Sequence, residues 1–127
     1  VIVLDASAAL AGLLGAGPAR DAMAEDQLHS PHLIDAEVAS GLRRLVRSGR
    51  ITPDDGGRAV GTWARLGLVR YPVHGLLGRI WELRENVSAY DAGYVALAET
   101  LECALLTADR RLGAAPGIRC VVTVVPG

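Results

Sequence analysis

Apolar residues along the chain follow two alternating rhythms. Short runs rich in aliphatic and β-branched residues at 1–4, 28–33, 68–71, 104–106 and 118–125 have the length of buried strands. Between them the apolar positions recur at helical spacing. Ile34, Val38, Leu42, Leu45 and Val46, interleaved with Arg43, Arg44, Arg47 and Arg50, predict an amphipathic helix ending near Gly49. Thr52-Pro53-Asp54-Asp55 is a helix start with proline in its first turn, and predicts a helix to about Leu66 that Gly67 stops. Leu76, Leu77, Ile80, Trp81 and Leu83 form another helical face. Ser88 opens a helix that is apolar nearly all round as far as Leu101, the pattern of a central, buried helix. Shorter helices are expected after Asp5-Ala6-Ser7, over 19–26 and over 110–114. Short strands alternating with helices imply right-handed βαβ units. The expectation is therefore α/β, with a parallel sheet of about five strands and helices on both faces.

At 127 residues, half of them hydrophobic and 21% charged, the chain suits a single domain spanning 1–127 with one buried core. The longest uncharged stretch, 6–19, is too short for a membrane span and is broken by Gly12, Gly15, Gly17 and Pro18. No basic leader precedes the first apolar run, so a cytoplasmic protein with no membrane partner is expected. Cys103 and Cys120 are too far apart for a CxxC site and too few for a disulfide framework, and read as buried thiols.

Thirteen basic residues against fourteen acidic ones exclude the strongly basic footprint of a general nucleic-acid binder. Every cation is an arginine. The missing lysine excludes a P-loop lysine, a receiver-domain lysine and Schiff-base chemistry.

Four acids stand out. Asp5 ends the first predicted strand, and Asp109 follows the strand at 104–106 with Thr107 just before it. If those strands are neighbours, the two carboxylates face each other where ligands bind in a doubly wound sheet. Asp91 is the acid in the first half of the apolar helix, and Glu37 lies in the first turn of the arginine-rich one. Each also has a structural reading. Asp5 and Asp109 suit helix N-caps, Ser88-Ala89-Tyr90-Asp91 matches a capping box, and Glu37 is spaced i,i+7 from Arg44. Together, without His or Cys partners, they form a hard-oxygen set suited to Mg²⁺ or Mn²⁺ and to phosphoryl chemistry. Convergence would also make the four repel one another and raise their pKa values in the metal-free protein. An aspartate-nucleophile phosphatase would want DxD after the first strand, where position 7 is serine.

The motifs Val-Leu-Asp-Ala-Ser-Ala at 3–8, Asp-Ala-Glu-Val-Ala at 35–39, Tyr-Asp-Ala-Gly-Tyr-Val-Ala-Leu-Ala-Glu at 90–99 and Leu-Thr-Ala-Asp-Arg-Arg-Leu at 106–112 resemble, in order and across the chain, the PIN-domain nucleases. Within that family they are similar to the VapC-type toxins. The resemblance implies a Mg²⁺- or Mn²⁺-dependent endoribonuclease, homodimeric, acting on RNA and silenced by a cognate antitoxin protein. It implies catalytic and metal-binding roles for Asp5, Glu37, Asp91 and Asp109, and substrate-side roles for Ser7, Thr107 and Arg110. The alternative is a catalytically silent module that binds RNA or protein.

With four acids under metal, thirteen arginines face ten remaining carboxylates, a balance that favours RNA. Arg43, Arg47 and Arg50 are spaced to form a strip along one helix that contacts the RNA backbone. Tyr90, Tyr94, Trp63 and Trp81 are the candidates for stacking on bases.

Overall fold

The computed structural model describes residues 1–127, and the chain runs β1 (Ile2–Leu4), α1 (Ala6–Leu14), α2 (Pro18–Glu25), β2 (Leu28–Pro31), α3 (Ile34–Arg47), α4 (Pro53–Arg65), β3 (Leu68–Tyr71), α5 (Leu77–Glu82), α6 (Ala89–Leu101), β4 (Ala104–Thr107), α7 (Arg110–Ala114) and β5 (Val122–Val124). A 3-10 turn, His74–Leu76, leads into α5. The five strands form one all-parallel sheet in the order β3-β2-β1-β4-β5. The chain moves outward from β1 to β2 and β3, then returns to build β4 and β5 on the other side. The switch point therefore lies between β1 and β4, paired from Ile2 against Ala104 to Leu4 against Leu106.

The helices divide as the crossovers require. Helix α1 packs on α2, α3 and α4, whereas α6 packs on α5 and lies across β1, β2 and β4. The core follows from this layering. Val3, Leu4, Leu105 and Leu106 of the central strands meet Ala92 and Val95–Ala98 of α6 on one side, and Ala8, Ala9, Ile34, Val38 and Leu42 on the other. At Gly41 a β-carbon would fall 2.4 Å from Leu10 Cδ1, so glycine there brings α3 close to α1. That contact sets the helix carrying Glu37 beside the one that Asp5 caps. No helix is long and apolar enough to cross a membrane.

Two strands are shorter than their apolar runs predict. Strand β2 ends at Pro31, and the last ladder bond runs from the His32 N–H to the Tyr71 carbonyl before the chain turns into α3. Strand β5 begins only at Val122. The segment before it bends through Gly117 at φ +83° and is held at Gly117 and Arg119 by side chains from the helices, the neighbouring strand engaging only from the Val121 carbonyl, which accepts the Leu105 N–H at 2.9 Å. Cys103 and Cys120 are free and half-buried instead of fully buried. Burial pushes the Cys120 thiol up to about 11, which leaves it protonated at neutral pH.

Candidate metal and nuclease site

Each of the four acids stands at the carboxyl edge of the sheet for a local reason. Asp5 follows β1 and caps α1, its Oδ1 accepting the Ala8 N–H at 2.9 Å. Asp109 follows β4 and caps α7, accepting the Arg111 N–H at 2.9 Å. Asp91 sits in the first turn of α6, where its N–H donates to the Ser88 cap at 3.1 Å. Glu37 lies in the first turn of α3, directly after β2. The four side chains line one cavity of about 490 Å³, together with Ser7, Ser40, Arg44, Tyr90 and Tyr94. Both the cap and the cavity roles are thus satisfied at Asp5 and Asp109.

Asp5 is the most constrained of the four, at 4% exposure. Ser7 donates to its Oδ1 at 2.7 Å and Thr107 to its Oδ2. Those two hydroxyls are 3.1 Å apart and are fixed in turn by the N–H groups of Ala108 (2.8 Å, to Ser7) and Asp109 (3.0 Å, to Thr107). Thr107 is completely buried, so it orients Asp5 and has no surface for substrate, contrary to expectation. Arg110 is exposed and does not line the cavity; its neighbour Arg111 reaches Asp109, at 3.3 Å.

Glu37 has a partner that the sequence pattern did not suggest. The Tyr94 hydroxyl, from a side chain buried to 2% exposure in α6, donates to Glu37 Oε1 at 2.8 Å. Burial and then the Glu37 charge raise the Tyr94 pKa far above the usual phenol range, so the donor stays protonated. Tyr94 therefore positions a carboxylate and is unavailable for stacking. Trp63 is likewise buried, with its Nε1 on Asp35 at 2.8 Å. Arg44 forms no ion pair with Glu37, yet it lines the same cavity two turns along α3. Residues 37, 40 and 44 share one face of that helix, so the i,i+7 spacing was the signal that could have found it.

The electrostatics depart from simple mutual repulsion. Burial is the main cause that raises Asp5, Glu37 and Asp91; neighbouring carboxylates add to it, Asp5 and Asp109 acting on Asp91, and Asp91 and Asp5 on Glu37. Asp109 goes the other way. Desolvation would raise it, but the side chain and N–H of Arg111 hold it below the usual carboxylate range. No three acidic, His or Cys side chains close on one point as a preformed ligand set. Carboxylates spaced around an open cavity, three of them disfavoured as bare anions, fit a hard divalent cation that keeps several of its waters.

A PIN domain family model matches residues 2–118. Ribonuclease VapC9 of Mycobacterium tuberculosis is 60% identical over 126 residues, covering 99% of each chain. Ribonuclease VapC1 of the same organism is 43% identical over 129 aligned positions, 97% of this chain and 96% of that one. Among solved structures, Mycobacterium tuberculosis VapC20, described as a sarcin-ricin loop cleaving toxin, superposes with TM-score 0.66 at 19% identity, covering 94% of this chain and 97% of that one. A Pyrobaculum aerophilum protein superposes with TM-score 0.73 at 23% identity, over 95% and 81%. At those identities the two structures speak to the fold alone.

Proposed function

Because the chain belongs to the PIN-domain family, and within it to the VapC-like ribonuclease toxins, we propose that it is a divalent-metal-dependent endoribonuclease silenced by a cognate antitoxin. The observation that carries this reading is the meeting of Asp5, Glu37, Asp91 and Asp109, from four separate segments, in one cavity at the sheet's switch point. These four would hold the ion. When bound, Mg²⁺ or Mn²⁺ supplies a counter-charge for the scissile phosphate and lowers the pKa of a water for in-line attack.

The chain's own residues supply order. Ser7 and Thr107 fix both oxygens of Asp5, and Tyr94 fixes Glu37, so two carboxylates are oriented before substrate arrives. Arg111 keeps Asp109 ionised. Arg44, on the cavity wall, is placed to pair with a phosphate oxygen of the RNA strand. Hydrolysis of this kind needs no 2′-hydroxyl and leaves a 5′-phosphate and a 3′-hydroxyl.

Incubation of the purified protein with structured RNA in Mg²⁺ or Mn²⁺ should give 5′-phosphorylated fragments, and excess EDTA or Asp91→Asn should abolish them. Cleavage that persists in EDTA would overturn the metal reading. For the antitoxin, the carboxylate cluster is the motif that would attract a guanidinium from the partner. Co-expression with the adjacent gene product should give a complex on size exclusion whose nuclease activity is lost; a working homodimer would appear in the same measurement without that partner.

A further inference from the structure

Beside the acidic cavity lies a second, apolar one of about 170 Å³. Leu33 closes it at the start of α3, Leu77 and Ile80 of α5 form one wall, and Ala89, Tyr90 and Gly93 of α6 form the other. Ala89 and Gly93 are one helical turn apart, so the surface of α6 is hollow between them. A β-carbon at Gly93 would stand in ordinary contact with Val73 Cγ1, at 3.6 Å, so glycine there leaves room for about one methyl group beside Val73.

The two cavities are continuous, with Leu33, Glu37, Tyr90 and Tyr94 lining both. Tyr94 is already committed, buried with its hydroxyl on Glu37. Tyr90 is 62% exposed, stands on the shared rim and precedes Asp91 in the chain.

We propose that this apolar annex is a nucleobase subsite, in which the base of an unpaired nucleotide lies against Tyr90 while its phosphate lies over the acidic cavity beside Arg44. The inference rests on the endoribonuclease reading and names its substrate class as single-stranded or looped RNA. A nucleotide is bipartite, an anionic phosphate joined through a sugar to a flat base with an apolar face. The paired cavities repeat that division, one lined by ligands for a phosphate-bound cation and the other by aliphatic and aromatic surface. Stacking on an aromatic ring tolerates any base, because every base has a π-face. The polar groups at the junction, Glu37 and Tyr94, are bonded to each other, so the annex selects for an unstacked base more than for its identity.

The test compares Tyr90→Ala, Tyr90→Phe and Ala89→Leu, all at exposed positions in the first turn of α6, in an Asp91→Asn background that prevents cleavage. Binding of a short fluorescein-labelled mixed-sequence RNA is read by anisotropy, as a single strand and annealed into a duplex. Tyr90→Ala should weaken single-strand binding about tenfold or more. Ala89→Leu, which fills the annex and leaves Tyr90 in place, should also weaken it; Tyr90→Phe should retain it, and duplex binding should be the same in all. Unchanged single-strand binding in both Tyr90→Ala and Ala89→Leu would overturn the proposal, as would equal losses on duplex. So would sedimentation showing that these variants convert a dimer to a monomer. If the parent protein cleaves RNA in Mg²⁺ while the binding differences are missing, the subsite falls alone. If it cleaves nothing while they persist, the subsite stands and the catalytic reading falls.

Discussion

Asp109 and Asp91 line one cavity yet are held in opposite electrostatic states, Asp109 as a helix cap kept ionised by Arg111 and Asp91 as a half-buried carboxylate disfavoured as a bare anion. Asp91 is raised by burial and by Asp5 and Asp109, so folding favours its protonated form. That contribution is present below the ordinary value of 3.8 and is lost as pH rises through the raised folded value, so at neutral pH ionised Asp91 weighs against the metal-free fold. For Asp109 the sign reverses: its lowered pKa makes the ionised form stabilising above the ordinary value, and that benefit is lost as pH falls through the lowered one. Metal-free Asp91→Ala should therefore melt no lower than the parent at neutral pH, whereas Asp109→Ala should lose about 0.5–2 kcal/mol through its missing cap. Thermal melts in EDTA read both signs, and equal destabilisation by the two would refute the distinction. Mg²⁺ should then raise the parent's Tm more than either variant's. Tyr94 gives a second prediction at this scale. Tyr94→Phe keeps the ring in the core and removes the donor to Glu37, and loss of such an orienting bond typically costs about 10- to 100-fold in metal affinity or activity. Mn²⁺ titration should show that loss without a matching change in fold; unchanged affinity and activity would leave Tyr94 a core residue only.

At the scale of elements, what was legible in the sequence is what local physics controls. Thr52 and Ser88 do cap α4 and α6, accepting the N–H groups of Asp55 and Asp91 at 3.1 Å each, and the apolar helix at 89–101 lies centrally across three strands. Asp5 and Asp109 could be placed at one edge because strand ends and helix starts coincide there in any parallel βαβ sheet. The Tyr94–Glu37 bond was not legible, since it joins residues 57 apart through a buried helix face. The approach to β5 was not either. Arg79 of α5 donates to Glu99 of α6 at 2.8 and 3.1 Å and to the Gly117 carbonyl at 2.6 Å, while Glu99 also accepts the Arg119 N–H at 2.8 Å. This clamp holds the first part of the run expected to be a strand, at Gly117 and Arg119, before pairing with β4 begins at the Val121 carbonyl, and its side chains are only 17% and 13% exposed. Desolvation opposes ionisation of Glu99, but the Arg79 hydrogen bonds and the Arg119 N–H outweigh it and hold the pKa below the usual glutamate range. Its stabilisation is thus present above that range and is lost as pH falls through the lowered value. Glu99→Gln should cost about 1.5–3 kcal/mol at pH 7, the scale of a hydrogen bond to a charged group, and the gap should narrow in acid. Denaturant midpoints at the two pH values measure it, and a gap independent of pH would show that charge is not what Glu99 contributes.

Across the whole molecule, near-neutral net charge conceals an uneven distribution. Carboxylates gather in the cavity at the switch point, and arginines continue from it along α3. Of the predicted arginine strip, Arg43, Arg47 and Arg50 are all exposed, but helical geometry puts Arg47 nearest to the face that carries Glu37, Ser40 and Arg44. Arg43 points well to the side, and Arg50 lies beyond the helix end. A track leading an RNA backbone to the carboxylates would therefore run through Arg44 and Arg47, neither of which forms an ion pair. Each phosphate neutralised on a single strand contributes about 0.7 to the slope of log K against log salt. Arg44→Gln and Arg47→Gln should each flatten that slope by about this amount for single-stranded RNA, measured in the Asp91→Asn background so that binding is separated from cleavage. Arg58→Gln is the control, because Arg58 is an exposed cation of α4 already paired with Asp55 and does not line the cavity. Flattening by Arg58→Gln equal to that by the two α3 variants would mean that RNA senses the arginines diffusely and follows no track. Flattening confined to Arg44 and Arg47 would tie the helix that carries Glu37 to the path by which substrate reaches it.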